Sequence, residues 1–213
     1  MSKKLILIRH GESLWNLQNK FAGWANIPLT NKGIFDSKSA GRLLNKNKII
    51  PGISFTSIQK RSIDTNKFLL KEMGLFKKIP IKENWMLNER HYGKLTGHNR
   101  NNITWKGGYF DIPPIIDNFY DLDLVNVNNY NPEYGESYYM TQLRILPFWK
   151  YLQKFIINNQ TPLVCAHKNS LKVLIKQIEN IDNDDINKIE VPNSLPIVYY
   201  FDNKMNYIRK KII

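Results

Sequence analysis

The sequence predicts an α/β fold, a three-layer sandwich with a mostly parallel central sheet flanked by helices, and three observations predict it. Strand and helix signals alternate along the 213 residues, as they do in doubly wound layer structures. Two apolar runs, Leu5-Ile6-Leu7-Ile8 and Leu163-Val164-Cys165-Ala166, are unbroken in the manner of strands covered on both faces. Each run leads into a histidine, His10 or His167, at the strand end where open α/β sheets bind their ligands. With 42% hydrophobic residues the chain can bury one substantial core, so residues 1–213 read as a single domain.

The elements follow in order. After the strand from Leu5, Gly11 permits a tight turn. Thr30 can cap a helix reaching about Asn45, with Ile34, Ala40, Leu43 and Leu44 on its inward face. Pro51-Gly52 breaks the chain before a second short strand, Ile53-Ser54-Phe55-Thr56. Ser57 is expected to cap the next helix, which carries Ile58, Ile63, Phe68 and Leu69. A third strand candidate lies between Lys78 and Trp85. Residues from about 97 to 135, with Pro113-Pro114 in their middle, resist a regular reading. Their aromatics (Trp105, Tyr109, Phe110, Phe119, Tyr120) favour an ordered lid over a linker. A helix over about 137–158, bent near Pro147, comes next. The strand at Leu163, a helix from Asn169 to Glu179 and a last core strand from Pro196 to Phe201 complete the pattern.

Composition narrows the function classes. The formal charge is +13, and Asn, Ile and Lys make up roughly a third of the residues. All three use A/T-rich codons, and lysines such as Lys46, Lys71, Lys82 and Lys210 are scattered rather than gathered on one stripe. The charge excess therefore reads as codon bias and not as a nucleic-acid surface, which needs a clustered basic face. The apolar runs are far shorter than the roughly 20 residues of a membrane-spanning helix, and the one behind Met1-Ser2-Lys3-Lys4 is too short for a signal peptide. A single cysteine, Cys165, excludes an internal disulfide and reads as a buried strand thiol, which suits a cytoplasmic protein.

The two strand-end histidines carry the chemistry. A neutral imidazole nitrogen of His10 is a competent nucleophile, and the guanidinium of Arg9 beside it can hold a phosphoryl group in its fork. His167 stands at a helix N-terminus, where negative charge on a phosphoryl group is stabilised. Arg61, in the first turn of the helix after the second strand, points toward the same sheet edge and suits bidentate phosphate contact. Taken alone, Arg61 also fits an ordinary helix surface, and His10 a turn cap. Glu89 lies in the titratable cluster Leu87-Asn88-Glu89-Arg90-His91-Tyr92-Gly93, where a partly buried carboxylate could hold a hydroxyl proton. An ion pair with Arg90 is the plainer reading of that glutamate. No metal-ligand spacing is present, so no metal is expected.

Arg9-His10-Gly11-Glu12-Ser13 with Trp15-Asn16 resembles the signature of the histidine phosphatase superfamily. Leu87 to Gly93 resembles the subfamily signature of the cofactor-dependent phosphoglycerate mutases, and further similarity at Phe21-Ala22-Gly23-Trp24, Leu29 to Gly33, Thr56 to Arg61, Leu146 to Trp149 and Ala166 to Leu171 extends over about Leu5 to Tyr207. The resemblance implies that His10 is the phosphorylated nucleophile and Glu89 the proton donor and acceptor. His167, Arg9 and Arg61 would stabilise the transferring group. Ser13, Asn16, Ala22, Gly23, Arg90, Tyr92, Arg100, Lys106, Lys168 and Asn169 fall at substrate-contact positions. It further implies interconversion of 3-phosphoglycerate and 2-phosphoglycerate, 2,3-bisphosphoglycerate as the primer that phosphorylates His10, no metal, and a cytoplasmic homodimer.

The chain departs from the family pattern at several of these positions. Lys168 replaces a glycine, Ala22 a threonine, Arg100 a lysine, and Lys106-Gly107 an arginine pair. About ten residues are missing between Arg100 and Trp105 by ordinary loop statistics, and a covering C-terminal tail is lacking, since the sequence stops at Ile213. These changes bear on substrate affinity and water exclusion. Two alternatives stay open at this point: a phosphohydrolase of the same superfamily, and a basic RNA- or protein-interaction module with a decayed site.

Overall fold

The structure is a computed structural model that describes residues 2–103, 105, 107–116, 124–130 and 132–213. Its centre is a six-stranded mixed sheet. The strands are β1 (Lys3–Arg9), β2 (Ile53–Thr56), β3 (Ile81–Glu83), β4 (Pro162–Ala166), β5 (Ile197–Phe201) and β6 (Tyr207–Ile212). They lie in the order β3-β2-β4-β1-β5-β6. The pairs β3–β2, β2–β4 and β4–β1 are parallel, while β5 and β6 add antiparallel at one side. The helices are the short α1 (Leu14–Leu17), then α2 (Asn31–Lys46), α3 (Lys60–Glu72), α4 (Tyr138–Ile157) and α5 (Lys168–Glu179).

The strand period of two divides the apolar runs between the faces of the sheet. Ile6, Ile8, Leu163, Cys165 and Val198 pack with Ala40 and Leu44 of α2 and Leu69 and Leu70 of α3. Leu5, Leu7, Phe55, Val164 and Tyr199 pack with Phe148 and Leu152 of α4 and Leu171 and Leu174 of α5. These two cores give the three layers. Cys165 is buried as expected, with its sulfur bonded to Ser62 O and burial pushing the thiol up to about 12.

Several elements differ from the sequence reading. Thr30 caps α2 as expected: its hydroxyl oxygen accepts from Gly33 N, and its proton goes to Glu12 Oε1. Ser57 does not cap α3, which begins at Lys60 with Gln59 at its cap position. The buried face of α3 is Arg61, Ser62, Thr65 and Asn66 before Leu69 and Leu70, while Ile63 and Phe68 are half-buried. The polar first turns look toward the sheet edge, so tertiary position overrides the apolar pattern. The last strand, β6, was not expected: Arg209-Lys210-Lys211 has no apolar alternation, and such charges suit an exposed edge. In the irregular stretch, Trp105 and Tyr109 are ordered against the body, whereas Phe119 and Tyr120 lie outside the described residues.

Candidate active site

Because β1 and β4 are parallel neighbours in the register Arg9↔Ala166, the residues that follow them emerge side by side. His10 N donates to Ala166 O at 2.9 Å, and the rings of His10 and His167 meet with centroids 4.9 Å apart and planes tilted by 57°. The turn after His10 requires glycine. A Cβ on Gly11 would stand 2.4 Å from Gly33 O, so the start of α2 lies in backbone contact with this loop.

The two rings are held in defined states. His10 Nδ1–H donates to Gly11 O at 2.7 Å, which leaves Nε2 with its lone pair. Burial, with Arg61 and Arg9 adding to it, holds the His10 imidazolium well below the usual range, so the ring is neutral near pH 7. Burial and Arg61 do the same to His167. Ser57 Oγ accepts from Gln59 N and shares a hydrogen bond with His167 Nε2 at 2.7 Å. The other ring nitrogen of His167, Nδ1, is buried without a protein partner.

Arg61 is fully buried, not a surface residue. Its Nη1 donates to Ala25 O and its Nη2 to Gly23 O, each at 2.8 Å. Burial lowers it to about 10. Gln59 Nε2 adds a bond to Gly23 O at 2.8 Å, so the loop from Ala22 to Ala25 is fixed along the cavity. Arg9 donates to Val191 O, and burial lowers its pKa while Glu89 opposes the shift. Arg9, Arg61 and Arg90 each keep a buried Nε–H without a protein acceptor, the kind of donor an anion's oxygens satisfy.

Glu89 is held by its backbone and by one oxygen. Its N–H donates to Gln59 Oε1, and its carbonyl accepts from Trp24 Nε1 at 2.6 Å. Oε1 accepts from the backbone N–H groups of Arg90 at 2.8 Å and Asn169 at 3.1 Å. The second of these is an otherwise unpaired donor of the first turn of α5. The contact with Arg90 is therefore through its main chain, and Oε2 is left to the cavity. The Arg90 guanidinium instead stacks on Tyr138 at 4.2 Å and Trp105 at 4.8 Å. Asn169 Nδ2 donates to Tyr92 Oη at 2.7 Å, and Arg100 lies over Phe21 at 4.3 Å.

These groups surround one cavity of about 720 Å³. Arg9, His10, Arg61 and Glu89 line it, as do Asn16, Ala22, Gly23, Arg90, Tyr92, Arg100, Lys168 and Asn169. His167 is buried behind its wall against His10. Ser13 does not line it. Its buried hydroxyl caps α1, bonding Asn16 N and Oδ1, because the turn after Gly11 points it into the protein. Lys106 lies outside the described residues. His91 also serves structure: its N–H donates to Glu136 Oε2, its Nδ1 accepts from Gly93 N, and burial lowers it to about 4. Among the described residues no group of three or more His, Cys, Asp or Glu is arranged to hold a metal, and no helix is long and apolar enough to cross a membrane.

Sequence reasoning missed Ser57, Tyr138, Lys172 and Asn187, of which the last three line the cavity. It also missed Glu136 and Arg144, which form a buried pair beneath Glu89. Arg144 had left a signal, an arginine inside the apolar run Leu143 to Leu146.

A neutral histidine with a free Nε2, in a cation-lined crevice at the ends of parallel strands, defines a phosphoryl-transfer site. The chain belongs to the histidine phosphatase superfamily (branch 1), whose family model matches residues 5–211. It is 37% identical over 223 aligned positions to a 2,3-bisphosphoglycerate-dependent phosphoglycerate mutase of Blochmanniella floridana, covering 97% of this chain and 96% of that one. A 2,3-bisphosphoglycerate-dependent phosphoglycerate mutase 1 of Lactobacillus johnsonii is 35% identical, with 98% and 97% covered. The first alignment is longer than this chain's 213 residues, so that relative carries residues this chain lacks. Among solved structures, Mycobacterial hydrolase 1 superposes with a TM-score of 0.76 at 16% identity, covering 100% of this chain and 97% of that one, which shows the shared fold.

Proposed function

We propose that this protein interconverts 3-phosphoglycerate and 2-phosphoglycerate through a phosphoryl group carried on His10. The observation that carries the reading is the joint presence, in one cavity, of His10 with an unprotonated Nε2 and Glu89 with one oxygen engaged and the other facing the same space. The names of the two relatives support the substrate pair.

The buried Nε–H groups of Arg9, Arg61 and Arg90 fit a ligand with two anionic ends, as 2,3-bisphosphoglycerate is. That primer supplies the phosphoryl group that loads His10. In the transfer, His10 Nε2 forms the bond to phosphorus as the ester P–O bond breaks, while Arg9, Arg61 and His167 hold the non-bridging oxygens. Glu89 Oε2 gives a proton to the departing oxygen and takes one from the hydroxyl that later accepts the phosphoryl group. Asn16, Gly23, Tyr92, Arg100, Lys168 and Asn169 orient the glycerate. The resemblance extends this reading to a homodimer in the cytoplasm, and light scattering decides the first of these.

The test follows one sample of protein, primer and 3-phosphoglycerate for both 2-phosphoglycerate and inorganic phosphate. Isomerised product is expected from the native chain and none from His10→Ala, which should also stay unlabelled by labelled bisphosphoglycerate. Phosphate release without isomerisation would give the function to the phosphohydrolase reading instead.

A further inference from the structure

Two walls of the cavity are joined at Gln59. One wall is the loop with Ala22 and Gly23, and the other is the segment with Glu89, Arg90 and Tyr92. They touch: Gly23 has φ +45°, and a Cβ there would stand 3.3 Å from Tyr92 N. Gln59 is fully buried behind them, at 0% exposure. Its Nε2 donates to Gly23 O and its Oε1 accepts from Glu89 N, each at 2.8 Å. Trp24, from the same loop, donates to Glu89 O at 2.6 Å. The main chain of Glu89 is thus held at its N–H and its carbonyl, and both bonds lead back to the loop.

The gap between the walls calls for an amide. One side presents a carbonyl, which needs a donor, and the other an N–H, which needs an acceptor. A glutamine side chain carries both on one plane. Gly23 O also accepts from Arg61 Nη2 at 2.8 Å, so the loop carbonyl joins Gln59 to the guanidinium that acts most strongly on His10. The main chain of Gln59 is pinned in turn. Its N–H donates to Ser57 Oγ at 3.2 Å, and its carbonyl accepts from Ser62 N and Ile63 N in the first turn of α3.

We propose that Gln59 is a positioning residue for phosphoryl transfer. Its amide sets the spacing between the Gly23 and Arg61 side of the cavity, where His10 takes up the phosphoryl group, and the Glu89 carboxylate that exchanges the hydroxyl proton. The proton-exchange part rests on the reading of Glu89 above. Because Arg61 keeps its own bonds to Ala25 O and Gly23 O, the amide governs turnover and not anion binding.

Two variants test it. Gln59→Met keeps the length of the side chain and removes both bonds. Gln59→Glu is the finer probe: protonated, its carboxyl donates to Gly23 O and accepts from Glu89 N as the amide does, and ionised it sets a bare oxygen against Gly23 O. Arg61 and Glu89 are the charged groups that face this position, and burial places the titration above the ordinary carboxylate value. Native chain and variants are followed for 2-phosphoglycerate, inorganic phosphate and labelling of His10 by labelled bisphosphoglycerate, with circular dichroism as the check on folding. In Gln59→Met kcat should fall about tenfold, while KM for 3-phosphoglycerate and the labelled fraction stay within about twofold. In Gln59→Glu the ratio of kcat to the native value should be near one at acid pH and fall as pH rises through the carboxyl titration. Should Gln59→Met fail to fold, the pH profile of Gln59→Glu decides. Native kcat in a folded Gln59→Met, a loss shared equally by KM and labelling, or a Gln59→Glu ratio flat with pH overturns the clamp. Phosphate release without isomerisation by the native chain overturns the phosphoglycerate reading alone, since the same fall is then read in the rate of phosphate release.

Discussion

The carboxylate of Glu136 grips the guanidinium of Arg144 at two points, Oε1 to Nε at 2.7 Å and Oε2 to Nη2 at 2.9 Å. The same guanidinium donates to the carbonyls of Met86, Asn88 and Glu89, and Glu136 Oε2 also accepts from His91 N. Both residues are buried. The bonds to Met86, Asn88, Glu89 and His91 fall on the segment that carries Glu89, so the pair fixes the main chain of the proposed acid/base residue from below.

Glu136→Gln leaves Arg144 charged, buried and without a counter-charge, a change that typically costs about 3–5 kcal/mol. A fall in melting temperature of roughly 10 °C is expected for a domain of this size. At temperatures where the variant is folded, kcat should fall about tenfold, because Glu89 loses its fixed position. Thermal melts and steady-state kinetics check both; an unchanged kcat in the folded variant removes the positioning role.

Glu89→Gln should separate loading from turnover. The amide keeps the shape and can still accept from Arg90 N and Asn169 N through its oxygen, so the cavity stays formed. It cannot shuttle a proton, and a lost general acid/base commonly costs about 10²–10⁴-fold. Partial labelling of His10 with turnover reduced on that scale is the expected pair of results. Unchanged turnover would move the proton-transfer role to another residue.

Stability should depend on pH through the buried histidines. His10 and His167 are held well below the ordinary value and His91 at about 4, all chiefly by burial. Above about pH 6.5 both folded and unfolded chains carry them neutral, and they contribute nothing. Below it the unfolded chain takes up protons that the folded chain refuses, so stability falls as pH falls. Each such group costs about 1.4 kcal/mol per pH unit for as long as its folded form stays neutral, which for His91 lasts to about pH 4. Denaturant midpoints at pH 7 and pH 5 measure this, and equal midpoints would refute it.

The strands and the histidine pair were legible in the sequence because a doubly covered strand writes itself as an unbroken apolar run, and a strand end is a fixed place. Ser57 was misread because a serine ahead of a helix looks the same whether it caps that helix or reaches His167. Gln59 turns inward to Gly23 O and Glu89 N, which delays α3 to Lys60 and gives its first turns a polar buried face. Tyr138, Lys172 and Asn187 come together across three elements, and no local pattern marks residues that meet only after the layers close. The family resemblance reached Lys168 and stopped one turn short of Lys172.

The last expectation concerns water. Asn187 Nδ2 donates to Gly107 O at 3.0 Å, and its Oδ1 accepts from Tyr138 Oη at 3.3 Å. Gly107 has φ +65°, and a Cβ there would meet the Trp105 indole at 2.6 Å, so the indole rests directly on this backbone. Trp105 lines the cavity. Asn187 is thus one tie between the body and the segment beside the cavity, together with Tyr109, whose carbonyl accepts from Tyr139 N. A phosphohistidine survives only while water is kept from it. Asn187→Ala removes two neutral hydrogen bonds, of which the one to Gly107 O is worth about 1 kcal/mol and shifts an open–closed balance about fivefold toward open. The ratio of inorganic phosphate released to 2-phosphoglycerate formed should rise by about that factor, while labelling of His10 by bisphosphoglycerate persists. Gly107→Ala should raise it further, since the methyl group displaces the indole itself. A ratio unchanged in both variants would show that water exclusion is achieved elsewhere in the cavity wall.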